Sequence, residues 1–201
     1  MRKRSVLIGS LALAGVLSFG HGAYLLAKAQ LAQILLERAW ARTIHGERDV
    51  KPWRWADTWP VARLEFPRQR QSCIVLAGAS GRTMAFGPGH VDGTASPEAI
   101  GNCVISAHRD SQFAVLRDVE VGDAVVMQTR DGRAVRYRIN AHRIVNKYDT
   151  SPLEPSRGRI LTLITCFPFD AIRPGGPLRY VVVAQALLPV PAQTGVSVPQ
   201  Q

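Results

Sequence analysis

Three side chains have the types and settings that nucleophilic catalysis needs: Cys166, His108 and Arg179. Cys166 ends the stretch Ile160-Leu161-Thr162-Leu163-Ile164-Thr165, an apolar run broken by a single interior threonine, as expected of a strand buried on both faces. Pro168 forbids further ladder pairing, so the thiol lies where a buried strand gives way to a loop. There the backbone is fixed and the side chain stays reachable. The thiolate is the nucleophile, and a free thiol is mostly protonated at neutral pH, so it needs a base beside it. His108 ends a second buried run, NCVISA at 102–107, in the same way. If the two strands are neighbours, imidazole and thiol meet. Arg179 opens the strand beyond the loop that follows Cys166, where a guanidinium could neutralise a thiolate or donate to a developing oxyanion. Taken singly, each has a plainer reading: a small buried residue, a structural histidine, a surface charge. The combination is more specific than any member.

The other candidates carry less. The cysteines are Cys73, Cys103 and Cys166, an odd number, so at least one thiol is unpaired within the chain. Their spacing excludes a CxxC redox motif and the usual zinc knuckles. Cys73 and Cys103 read as buried thiols on strands, with a disulfide between them as the alternative in an exported chain. His90 in a Gly-rich loop and His142 in an alternating strand are expected at the surface. Asp110 could orient His108, although a turn residue is the simpler reading. Acidic residues are too scattered for a calcium cage, and no metal or cofactor is expected. The net charge is +10, but the arginines are dispersed rather than clustered with aromatics, so nucleic-acid binding is not expected.

The elements that must position these residues follow from periodicity. Short strands are expected at 61–66, 73–77, 82–86, 102–107, 160–165 and 178–187, with a helical turn within 111–118. Residues 124–129 and 134–144 form a hairpin about Asp131-Gly132, a strong turn signal. Residues 87–93, 146–158 and 167–177 read as loops. Many short strands divided by turns indicate an all-β barrel or sandwich. Ahead of this body, Arg2-Lys3-Arg4 precede an apolar run from Val6 to about Ala27, close to the length of a bilayer-spanning helix. The basic start places the N-terminus in the cytoplasm and the body outside. An uncleaved signal-anchor is preferred to a cleaved signal peptide, because the helical pattern of Leu31, Ile34, Leu35, Ala39 and Trp40 runs straight on. The expected division is a basic end at 1–4, a transmembrane segment at 5–28, a juxtamembrane helix and linker at 29–58, the catalytic β-barrel at 59–188 and a disordered Pro-rich tail at 189–201. Within that tail, the stretch at 191–195 (PAQTG) is read as carrying no function.

The set formed by His108 after NCVISA, Thr162-Leu163-Ile164-Thr165-Cys166, and Arg179 in PLRYVVV resembles the sortases, membrane-anchored cysteine transpeptidases with a TLxTC signature. The stretches at 87–98, 106–113 and 165–182 look most like the branch of Gram-negative bacteria (class GN). The resemblance implies an eight-stranded β-barrel and a reaction at an LPxTG-like sorting signal of a protein substrate. In it Cys166 attacks the Thr–Gly amide, and an amine nucleophile resolves the thioacyl-enzyme. His108 is the implied acid and base, Arg179 the implied oxyanion donor, and Thr165 adds a hydrogen bond to substrate. The implied location is the inner membrane, single-pass, with the barrel on the periplasmic side. Two alternatives stand beside this: a cysteine hydrolase on the same scaffold, in which water resolves the intermediate, and a non-catalytic membrane-tethered binding module.

Overall fold

The computed structural model describes residues 2–173 and 175–187, and of residues 2–12 and 14 the helical backbone alone. The expected tail at 189–201, with its PAQTG stretch, lies outside the described residues. Along the chain come helix α1 (Arg2–Ile44), strands β1 (Pro60–Phe66) and β2 (Gln71–Ala77), helix α2 (Gly81–Met84), and strands β3 (Gly89–His90) and β4 (Gly101–Ser106). A 3₁₀ turn (Ala114–Arg117), strands β5 (Ala124–Thr129) and β6 (Ala134–Asn146), a second 3₁₀ turn (Ser151–Leu153), and strands β7 (Arg159–Phe167) and β8 (Leu178–Ala186) complete it. The strands close into a barrel in the order β1-β2-β3-β4-β7-β8-β6-β5, with β5 pairing back onto β1. Most pairs are antiparallel; β2 and β3 run parallel, and so do β4 and β7. Their C-terminal ends therefore emerge at the same rim, although much of the chain lies between them.

Alternate residues of each strand fill the barrel: Leu64 and Phe66, Cys103 and Ile105, Met127, Tyr137 and Ile139, Leu161 and Leu163, Val182 and Ala184. Full burial of one such apolar side chain stabilises the fold by about 1.5–3 kcal/mol. The opposite, outer faces of β4, β7 and β8 are also dry near their middle. Val104 and Val181 are fully buried yet alternate with the core residues. The loop at 147–158, whose Pro152 is buried, lies over this outer face. It is held there by Asn102, whose Nδ2 donates to the carbonyls of Pro152 at 2.9 Å and Glu154 at 3.0 Å.

Two local expectations are corrected. Residues 82–84 of the stretch expected as a strand at 82–86 belong to helix α2, because Ser80 caps it by accepting from the Thr83 amide at 3.1 Å. Phe86 is then free to turn away and pack on Leu36, Trp40, Ile74 and Leu76 and edge-on to Trp53 at 4.8 Å. The loop expected at 87–93 contains strand β3, which bridges β2 and β4 and completes the eight. Only glycine fits at 89, since a Cβ there would lie 2.3 Å from the Gly78 carbonyl oxygen. Elsewhere the hairpin at Asp131-Gly132 forms, with β6 running on to Asn146.

The C-terminal part of α1 docks on the barrel through Leu36 and Trp40, the Arg63–Glu37 ion pair and a bond from Gln33 Nε2 to the Phe86 carbonyl at 2.9 Å. Leu13, Val16, Leu17, Phe19, Leu25 and Leu26 are exposed. Among the described residues no helix is long and apolar enough to cross a membrane. Much of the segment expected to do so lies where only the backbone is described.

Candidate active site

The strand register assembles the three candidate residues. In the antiparallel β7–β8 ladder Cys166 stands opposite Arg179. In the parallel β4–β7 ladder Ser106 stands opposite Ile164. The Ala107 amide then donates to the Ile164 carbonyl at 3.2 Å, which carries the pairing one residue further and sets His108 beside Cys166. The three residues thus form one row across adjacent strands, with Cys166 in the middle and its neighbours each about 4.8 Å away in the ladder direction. By alternation with the inward Ala107, Thr165 and Tyr180, all three face outward. Cys166 and Arg179 are half-buried and His108 is exposed. Both described bonds of the Arg179 guanidinium leave from Nη1, to the carbonyls of Gly176 and Leu178 at 2.9 Å each. They pin its plane beside the start of β8.

Thr165 is fully enclosed, at 1% exposure. Its hydroxyl donates to the Ala107 carbonyl at 2.8 Å, across 58 residues of sequence. The bond expected to go to substrate is therefore made within the protein, and it locks the residue before the thiol to the residue before the imidazole. Beneath the row, the inner face is plugged by aromatics. Phe169 meets Tyr180 edge-on at 5.2 Å, Phe167 stacks on Tyr180 at 6.1 Å, and Arg117 lies over the Phe169 ring at 5.5 Å. This gives the row a rigid base.

Arg109, which follows the imidazole directly, carries no role in the sequence reading. It is only 7% exposed, and its Nη2 donates to the carbonyls of Ala171 at 2.7 Å and Arg173 at 3.0 Å. Those carbonyls belong to the loop that joins Cys166 to Arg179. Arg109 therefore ties that loop to the β4 end of the row. The signal available in the sequence was its position two residues past the buried run at 102–107, but arginines are mostly exposed, so position alone does not single it out.

The remaining candidates are placed elsewhere. Cys73 and Cys103 are free thiols. Burial pushes each up to about 12, and for Cys103 the charge of Glu98 adds to the effect. Cys73 as a residue is half-buried, but its side chain packs against the barrel core, so thiol burial governs. His90 is tied within its own loop, with Nε2 2.9 Å from the Ala95 carbonyl. His142 stacks on Tyr180 at 5.7 Å. Asp110 is exposed. Among the described residues no His, Cys, Asp and Glu side chains group as metal ligands.

Comparison with known proteins agrees with this fold. The family model of the sortase domain matches residues 64–187. The chain belongs to the sortase family. It is 30% identical over 120 residues to sortase D of Bacillus subtilis (strain 168), a match spanning 59% of this chain and 60% of that relative. The catalytic domain of SrtD from B. anthracis superposes with a TM-score of 0.55 at 32% identity, covering 64% of this chain and 87% of that one. Sortase A from Corynebacterium diphtheriae shares the fold, with a TM-score of 0.60 at 22% identity, covering 80% of this chain and 86% of that one. In this sortase both strands that carry the thiol and the imidazole, and the strand that carries Arg179, lie inside the matched region.

Proposed function

We propose that this sortase is a membrane-anchored cysteine transpeptidase that cleaves an LPxTG-like sorting signal between Thr and Gly. The observation that carries the reading is the row His108–Cys166–Arg179, set on one outer face by two ladders of different sense. In the proposed reaction the Cys166 thiolate attacks the Thr carbonyl carbon. The C–N bond breaks as His108 gives a proton to the leaving amine, and a thioester to Cys166 remains. An incoming amine attacks that thioester and loses its proton to His108, and the new amide leaves as Cys166 is released. Arg179 donates to the oxyanion of both tetrahedral intermediates. Thr165 and Arg109 act through the row they hold rather than on the substrate.

The anchor belongs to the same proposal. Leu13, Val16, Leu17, Phe19, Leu25 and Leu26 project outward from α1 on several sides, and a helix that is apolar all round suits an apolar solvent. They continue the run that begins at Val6, behind Arg2-Lys3-Arg4, which orients the barrel to the extracytoplasmic side of the inner membrane. The stretches at 87–98, 106–113 and 165–182 support the Gram-negative branch of the family.

The test uses the full chain in detergent with an L-P-x-T-G peptide and a small amine, followed by intact-mass spectrometry. We expect a peptide adduct on Cys166 and an amine-capped product, both absent from Cys166→Ala. Adduct with free acid alone would move the reading to a hydrolase. A chain that forms no adduct across a panel of motifs would overturn it.

A further inference from the structure

The outer face of β4 and β7 holds a buried polar group of residues that the chemistry above does not use. Asn102 is 7% exposed and Thr162 2%. The Thr162 hydroxyl donates to Asn102 Oδ1 at 2.7 Å. That bond decides which end of the amide is oxygen, and so aims both Nδ2 hydrogens at the carbonyls of Pro152 and Glu154. The partners are 50 and 52 residues from Asn102 in sequence, and neither belongs to a strand.

The path of the loop gives this bond its meaning. The loop leaves β6 beside the catalytic row, since Val145 stands opposite Arg179 and Asn146 opposite Leu178. The Lys147 amide donates to the Pro177 carbonyl at 2.7 Å. The loop rejoins the sheet at the far end, where Arg159 stands opposite Gly101. Between these ends it crosses the face that bears Cys166. The backbone ladder of β4 and β7, in which Asn102 stands opposite Ile160, does not need the Asn102 side chain, so its amide serves the loop. We propose that Asn102, oriented by Thr162, is a specificity-positioning residue that fixes the loop at 147–158 as the wall of the peptide cleft leading to Cys166. This rests on the transpeptidase reading.

The test compares the full chain with Asn102→Asp and Thr162→Val. The first is isosteric: it keeps the acceptor for Thr162 and replaces the two N–H groups by an oxygen facing two carbonyls. The second removes only the bond that orients the amide, and it serves if the first does not fold. Amide hydrogen exchange at 147–157 is expected to rise about ten-fold in Asn102→Asp and about three-fold in Thr162→Val, with β4 and β7 little changed. Peptide kcat/KM is expected to fall by similar factors, mainly through KM, while alkylation of Cys166 by iodoacetamide stays within about two-fold. Unchanged loop exchange overturns the proposal. So does a parallel loss of kcat and alkylation with KM unmoved, which would place the effect in the strands. A wild-type chain that forms no peptide adduct sinks the transpeptidase reading, while the exchange arm still decides whether Asn102 holds the loop.

Discussion

Burial divides the three thiols. Cys103 is 2% exposed, and burial holds both it and Cys73 near 12, so neither forms an appreciable thiolate at pH 8. Cys166 is half-buried and faces outward beside an exposed imidazole. Iodoacetamide at pH 8 is therefore expected to label one thiol per native chain, Cys166, and all three in denaturant, as read by peptide mapping. Native labelling at Cys103 would show that the barrel opens. Arg179 is expected to act on the transition state more than on binding. Arg179→Ala should lower kcat/KM about 10²–10³-fold, the usual loss for one oxyanion donor. Arg179→Lys should recover little of it, because an ammonium cannot hold two carbonyls and a substrate oxygen in one plane as a guanidinium can. Recovery to within a few-fold of wild type would mean that charge alone suffices.

At the scale of elements, the site depends on two strand ends staying in register. Thr165→Val keeps the shape and removes the bond to the Ala107 carbonyl. A cost of about 1–2 kcal/mol is expected in urea unfolding, together with a fall in peptide turnover as His108 loosens from Cys166. An unchanged rate would show that the amide bond from Ala107 to Ile164 is enough. Gly89→Ala forces a Cβ into the Gly78 backbone and should destabilise by at least about 2 kcal/mol, through loss of β3. These elements also show what was legible in the sequence. Apolar runs ended by His108 and by Cys166-Phe167-Pro168 marked both the strands and the residues that the register sets in one row, because burial on two faces and a proline stop are local properties. Strand β3 was not legible, since two residues carry no periodicity and Gly89 is required by its close approach to the backbone of Gly78 and Ala79, which only the fold creates. Helix α2 was hidden because its cap at Ser80 outweighs the strand-like residues after it. Asn102 and Arg109 escaped because their partners lie 50 to 64 residues away, and only the fold brings them near.

The molecule as a whole should be alkali-sensitive. In the unfolded chain a thiol titrates at about 8.5 and a tyrosine at about 10. In the barrel burial raises both Cys103 and Tyr137 to about 12. Below the unfolded values this contribution to stability is fully present. As pH rises through them the unfolded chain binds fewer protons than the folded one, so stability falls, by up to about 1.4 kcal/mol per pH unit for each group. Cys103→Ala should start less stable, because it leaves a cavity, and should show a shallower decline between about pH 9 and 11 in urea titrations. Equal slopes would mean that other groups dominate the alkaline limb. The same closed barrel has a consequence for how such a protein can diversify. The chain leaves the row at His108 and returns to it at Cys166, and nothing in the chemistry counts the residues in between. Asn102 holds the intervening wall by the carbonyls of Pro152 and Glu154, a group that every residue possesses. Doubling a flexible loop costs only about 0.6 kcal/mol. The wall is thus a cassette: its side chains can be rewritten, and its free stretch lengthened, to accept a new peptide while the anchor and the reacting atoms stay where they are.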